Sequence, residues 1–414
     1  MLRDDSDILV PVLFKPAVST PGGGILSTLP ENTYGIASGT SMATPHLAGI
    51  SALLLQAKGK NIAKQLRNLF ETTATPIAIS RDEGAPRHTL AQAGAGLVNV
   101  ANILNYETVL TPGELLLNDT ANWKSSHTIY IKNTGKAVKE YTITHVPAQT
   151  VLTYDAATSQ VNEYPVPTED TAVTVRFSLS KATVLPGTTL PILVHIAAPA
   201  SPNAALLPIF SGHIEVSTAG ETLRASYLGA GKPLKANKVI DDTDWAIGVP
   251  FPLLLDGAGN IQEVPTNYTL VDGDYPLFFY RLLFGSPMYT IDLVSADATL
   301  PKSANSKAKR GFLGDWLSGA IGTWFPSLPS RAGSYAKVAT IGRLFSYANE
   351  IRNDNYDYPY WSVDLLAGGT FANGTAVPLG SYKVLARFLR VAGDVANQED
   401  YESWLSPIVN IVAP

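Results

Sequence analysis

The stretch Met42–Ala57, MATPHLAGISALLLQA, constrains this chain more than any other part of it. Its apolar side chains run nearly all the way round a helix instead of forming one stripe, so it is expected to pass through the middle of a layered domain. Ala43, Ala48 and Gly49 keep such a helix slim, and Pro45 falls in the first turn, where its missing N–H costs little.

Gly39-Thr-Ser41 stands directly ahead of it. A serine hydroxyl attacks a carbonyl only when it sits exposed on a sharp turn, near a base, with backbone N–H groups aimed at the developing oxyanion. Gly39 allows the turn, and a serine at a helix start meets free N–H groups and the positive end of the helix dipole. The competing reading of a serine before a helix is an N-cap.

The rest of the chain divides by texture. Residues 1–30 are broken by Pro11, Pro16, Pro21, Gly22, Gly23, Gly24 and Pro30 and read as loops and brief strands. Residues 60–72 place Ile62, Leu66, Leu69 and Phe70 at helical spacing among charges, the pattern of a surface-packed helix. After Asn105 come short alternating runs such as Thr128-Ile-Tyr-Ile-Lys and Ala172-Val-Thr-Val-Arg-Phe, separated by turns, which is the pattern of a β-sandwich. A second β-rich stretch runs from Pro233 onward, with Trp361 as a core candidate and an exposed, basic loop near 301–312 that contains Lys309-Arg310.

Composition removes several functions. The 414 residues include no cysteine, which excludes disulfides, thiolate metal sites and cysteine nucleophiles. A net charge of −5 without a basic face argues against nucleic acid or an anionic membrane as partner. No run approaches a membrane span, and the acidic Met1–Asp7 is unlike an export signal. Gly229-Ala-Gly-Lys-Pro lacks the spacing of a phosphate loop, and Asp256-Gly-Ala-Gly-Asn, Asp272-Gly-Asp and Asn353-Asp-Asn-Tyr-Asp357 read as turns before metal sites. Asn118, Asn267 and Asn373 each open a glycosylation acceptor triplet.

Asn32–Gly49, NTYGIASGTSMATPHLAG, closely resembles the serine signature of the subtilisin-like proteases, and Lys15–Thr28 and Gly94–Asn99 resemble neighbouring segments of the same catalytic domain. The resemblance implies Ser41 as the nucleophile, Tyr34, Gly35, Gly39 and Thr40 beside the substrate, and an Asp and a His earlier in the chain. No histidine precedes Ser41 here, and Asp4, Asp5 and Asp7 lack the family's aspartate context. His46 lies five residues after Ser41, roughly 140° round an ideal helix from it, and does not suit the part of a base.

Residues 106–232 resemble the fibronectin-III-like module of large secreted members, through Leu110-Thr-Pro-Gly, Ile131-Lys-Asn-Thr-Gly, Pro186-Gly-Thr-Thr-Leu, Phe210-Ser-Gly-His-Ile and Tyr227-Leu-Gly-Ala-Gly. The expectation is thus a multidomain chain: the C-terminal part of an α/β subtilisin-like domain over 1–105, a sandwich over 106–232, and a further β-rich sandwich region over 233–414, as in fungal members. The full protein would be an extracellular or cell-wall endopeptidase acting on proteins or peptides. It would need no cofactor, with structural calcium an option, and the missing part of its own catalytic domain would be a partner. The rival is an inert remnant that binds or scaffolds through its sandwiches.

Overall fold

The computed structural model describes residues 16–157, 160–162, 166–199, 203–300, 338–353 and 358–414. Asp4, Asp5, Asp7, Lys15, the loop near 301–312 and residues 354–357 lie outside them. The chain forms two units, Met1–Pro233 and Leu234–Pro414.

The first unit opens with an antiparallel hairpin, β1 (Ile25–Leu29) and β2 (Thr33–Ala37), registered from Ile25 opposite Ala37 to Leu29 opposite Thr33. Helix α1 (Thr40–Lys58) follows, beginning two residues earlier than the apolar pattern suggests. It is not enclosed. Leu54 is buried against Phe70 and Ile103, while Leu53 on the same helix is 65% exposed. Gly59, at φ 85°, ends α1, and the surface helix read over 60–72 is in fact a 3₁₀ stretch, Lys60–Gln65, running into α2 (Leu66–Thr73). Two short helices, α3 (Leu90–Ala93) and α4 (Val100–Asn105), complete this part, capped by the side chains of Thr89 and Asn99.

The strands that follow are β3 (Thr108–Thr111), β4 (Glu114–Asp119), β5 (Ser126–Asn133), β6 (Lys139–Pro147), β7 (Thr150–Leu152), β8 (Thr168–Glu169), β9 (Thr174–Phe177), β10 (Lys181–Val184), β11 (Thr189–Ala197), β12 (Pro208–Thr218) and β13 (Glu221–Ala230). They form two sheets, β10-β6-β12-β13-β4, with β7 and β8 attached beside β12, and β3-β5-β11-β9. Alternate residues point inward, as the period of two requires, so Ile129 and Ile131 meet Ile192 and Val194 across their sheet and pack against Leu115, Ile214 and Tyr227 of the other. The catalytic-like segment and this sandwich share one unit because side chains of α2 grip the first strands. Asn68 Nδ2 donates to the Leu110 carbonyl at 2.8 Å, and Arg67 bridges Glu71 and Glu114 at 2.7 Å each.

The second unit is also layered. Its strands are β14 (Leu253–Leu255), β15 (Thr266–Tyr268), β16 (Leu277–Tyr280), β17 (Ser286–Ser295), β18 (Thr340–Glu350), β19 (Trp361–Asp364), β20 (Gly380–Leu389), β21 (Tyr401–Leu405) and β22 (Val409–Ile411). One sheet is β14-β16-β19 and the other β15-β22-β20-β17-β18, with β21 paired to β20. Phe278, Tyr280, Tyr289, Phe388 and Trp404 stack between them. Trp361 is not the core tryptophan expected from the sequence. It packs on the rim of the cluster with its face on Tyr358, and Trp404 fills the interior. Arg281 and Asp241 form a fully buried ion pair at 2.9 Å, with the guanidinium lying 5.1 Å over the Trp245 ring.

Candidate active site

The site is assembled on three backbones that run side by side. Ala95 donates to the Ala17 carbonyl at 2.9 Å, Ser19 to Gly96 at 2.8 Å and Val98 to Ser19 at 3.0 Å, while Leu97 and Thr75 exchange bonds of 2.8 Å on the other side. Such close packing needs glycine. A Cβ on Gly96 would lie 2.3 Å from the Thr75 carbonyl oxygen, and one on Gly94 would lie 2.6 Å from that of Pro16.

From this base, Ser19–Gly24 passes across the start of α1. Thr20 Oγ1 donates to the Ala43 carbonyl at 2.8 Å, Gly39 N–H donates to the Gly22 carbonyl at 2.8 Å, and Gly24 N–H donates to Ser38 Oγ at 2.8 Å. A Cβ on Gly22 would fall 2.8 Å from the Gly39 oxygen. The run Gly22-Gly23-Gly24 marks this crossing in the sequence, yet only the structure shows Thr20 and Ser38 fastening it.

Gly39 itself adopts φ 156° and ψ 171°, a backbone conformation that is nearly exclusive to glycine. No side chain caps the helix, so the N-cap reading of Ser41 does not hold here. Ser41 is the second residue of α1 and is exposed. Met42 donates the first intrahelical bond, to Gly39 at 3.1 Å, so the N–H groups of Thr40 and Ser41 precede the helical ladder. The arrangement offers an exposed hydroxyl next to two backbone donors at the positive end of a helix.

The neighbouring residues are equally open. Tyr34 is 73% exposed on β2, and Gly35 packs against Leu29 so closely that a Cβ there would lie 2.6 Å from Leu29 Cδ1. Thr40 and Gly39 are exposed as well. Leu26, Tyr34 and Ile36 share one side of the hairpin and present an exposed apolar patch there.

No described histidine is bonded to Ser41. His46 Nδ1 lies 3.4 Å from the Pro21 carbonyl oxygen, and His88 contacts the Thr89 carbonyl. The others belong to the sandwich. His127 meets the Lys124 carbonyl, His145 the Tyr227 hydroxyl at 2.9 Å, and His213 Ser226 Oγ at 3.3 Å. His195 lies on β11, paired with Ser126 and Arg176. Burial, with the charges of Arg224 and Arg87, holds the His213 imidazole down at about 3, so it is neutral. Among the described residues no group of three or more His, Asp or Glu side chains is placed to hold a metal ion, and no helix is long and apolar enough to cross a membrane.

A model of the subtilase family matches residues 9–96, and a model of an Fn3-like domain matches residues 115–227. The minor extracellular protease Vpr of Bacillus subtilis is 32% identical over 141 residues, which is 32% of this chain and 17% of that protein. Subtilisin of Bacillus pumilus is 43% identical over 83 residues, or 20% of this chain and 26% of its own length. The chain therefore spans about a fifth of the curated relatives it matches. Among solved structures, a PapD-like domain of human CEP192 superposes with a TM-score of only 0.23 at 11% identity, over 30% of this chain and 84% of its own.

Proposed function

We infer, from the subtilase family model that matches residues 9–96 and the Fn3-like model that matches residues 115–227, that this chain is part of a subtilisin-like serine endopeptidase whose nucleophile is Ser41. The observation that carries this reading is the uncapped start of α1, where Gly39 turns the chain and leaves Ser41 exposed beside two backbone donors.

In the complete enzyme Ser41 Oγ attacks the scissile carbonyl carbon while a histidine outside this chain takes the hydroxyl proton. The N–H of Ser41 helps to hold the oxyanion, the amine departs with that proton, and water hydrolyses the acyl-enzyme. Tyr34 and Gly35 on β2, with Gly39 and Thr40, border the cleft that receives an extended peptide. The protein acts outside the cell, as the name of the Vpr relative states for that protein. Asn118, Asn267 and Asn373 are the candidate glycan acceptors on this reading. Structural calcium, where the complete enzyme binds it, falls outside the chemistry of Ser41.

A fluorophosphonate probe tests the assignment. Applied to the chain joined to a subtilase N-terminal part carrying the Asp and His, it should label one serine rapidly, and Ser41→Ala should abolish labelling. The chain alone should label slowly or not at all. Rapid labelling that survives Ser41→Ala would overturn the assignment, and a joined, folded protein that never labels would favour a non-catalytic scaffold.

A further inference from the structure

The acceptor triplets are equivalent in sequence but differ in chemistry. We propose that Asn373 is the N-glycan acceptor of this chain, selected over Asn118 and Asn267 by the bonds that each asparagine makes. The proposal rests on the extracellular reading above, since the modification belongs to the secretory route.

Asn373 sits at the tip of a hairpin closed by the bridge between Thr370 and Ala376. Residues 372–376 are all exposed, and Phe371 anchors the tip in the core of the second unit. Gly374 turns at φ 82° with open space around it, and Phe371 and Gly374 close the turn through bonds of 2.8 and 2.9 Å. Thr375 Oγ1 donates to Asn373 Oδ1 at 2.7 Å, and Thr375 N–H donates to the same oxygen at 3.0 Å. The nitrogen Nδ2 accordingly points away from both bonds, on a surface with room for a large substituent.

Glycosylation joins Nδ2 to the anomeric carbon of an oligosaccharide carried on a lipid pyrophosphate. The C–O bond to the pyrophosphate breaks, the pyrophosphate leaves with the electron pair, the N–C bond forms, and the proton lost from Nδ2 passes to the departing pyrophosphate. Two donors on Oδ1 draw charge toward that oxygen and make the amide N–H more acidic, which favours the proton loss. The threonine hydroxyl of the triplet supplies one of those donors.

Neither of the other triplets offers this. Asn267 lies within β15, where its Oδ1 accepts from Asn410 Nδ2 at 3.0 Å, and both the N–H and the hydroxyl of Thr269 are taken by Asp274 Oδ2 at 2.8 Å. Asn118 is half-buried in β4, paired with Gly229 of β13, and its own Nδ2 donates to the Asn122 carbonyl at 3.3 Å.

The test is to express the full chain behind a secretory leader in a eukaryotic host and map glycopeptides in both the medium and the retained microsomal fraction. The expected result is glycan on Asn373 in most molecules, Asn118 and Asn267 largely bare, and loss of one glycan step in Asn373→Gln. Bare Asn373 in both fractions, or occupancy of Asn118 and Asn267 equal to that of Asn373, would overturn the proposal. Fractionation of native cells asks the separate question of whether the protein leaves the cell, so failure of that reading is scored independently of which asparagine is modified.

Discussion

The backbone N–H of Leu90 donates to Ser211 Oγ at 3.1 Å, linking positions 121 residues apart at a fully buried point between α3 and β12. Removing the hydroxyl leaves the N–H of a helix's first turn without a partner in a dry seam. Ser211→Ala is expected to destabilise the first unit by about 1–3 kcal/mol. Denaturant unfolding followed by hydrogen exchange should show the loss at residues 89–95 and on β12 and leave the second unit unchanged. An unaltered midpoint would mean that the seam relies on other contacts.

His213 gives the seam an acid sensitivity whose sign follows from its depressed pKa. The unfolded chain binds a proton near pH 6.5 that the folded chain refuses until about 3, so this contribution is complete above 6.5 and falls away as pH drops toward 3. The slope is about 1.4 kcal/mol per pH unit in that window. His213→Gln keeps a polar group toward Ser226 but does not titrate, and should flatten the decline in Tm between pH 6.5 and 4. A parallel decline in both proteins would count against it.

Gly96 sits at φ 125° with the Thr75 carbonyl where a Cβ would go. Backbone strain and overpacking together put the cost of Gly96→Ala at about 2–6 kcal/mol. The three-backbone base should loosen, seen as protease cleavage near Thr75 and Leu97. A resistant, fully stable variant would show that the base adjusts at little cost.

In the second unit, Asp241→Asn should cost about 3–5 kcal/mol because it removes a carboxylate that meets the buried Arg281 guanidinium at 2.9 Å. Replacing both residues by apolar ones of similar size should recover much of that loss. A double variant as unstable as the single one would show that the pair contributes net stability.

The exposed apolar side chains of β1, β2 and α1 lead to a further expectation. Residues 1–105 expressed alone should aggregate, since they lose the grip of Leu110, Glu114 and Ser211 as well as exposing Leu26, Tyr34, Ile36 and Leu53. A cooperative melt with sharp near-ultraviolet signals would refute this.

The parts of the fold that could be read from sequence are those set by local pattern. Gly39-Thr-Ser41 before an apolar run announces a turn and a helix, although the all-round apolar pattern reads as an enclosed rod and α1 is open along most of its length, and the alternation in Ser126–Asn133 announces a strand with one inward face. What escaped reading depends on distant partners. The charges in 60–72 suit α- and 3₁₀-helix alike, and Gly59 decides where one stops. Trp361 and Trp404 both sit in strands with similar neighbours, and only the packing of the two sheets sends one to the rim and the other inside. Arg67, Asn68 and Ser211 carry no signal of the seam, because their partners lie 47, 42 and 121 residues away.

The three-backbone base also determines how the chain would behave once cut. Residues 79–84 form an exposed loop closed by the bridge between Ala78 and Arg87. A nick there would leave residues 17–19 and 75 on one piece and 94–98 on the other, still bonded along both sides of the middle segment. The two pieces would stay together as a noncovalent complex, co-eluting in native buffer and parting only in denaturant, so an intact mass on a sizing column says nothing about an intact chain.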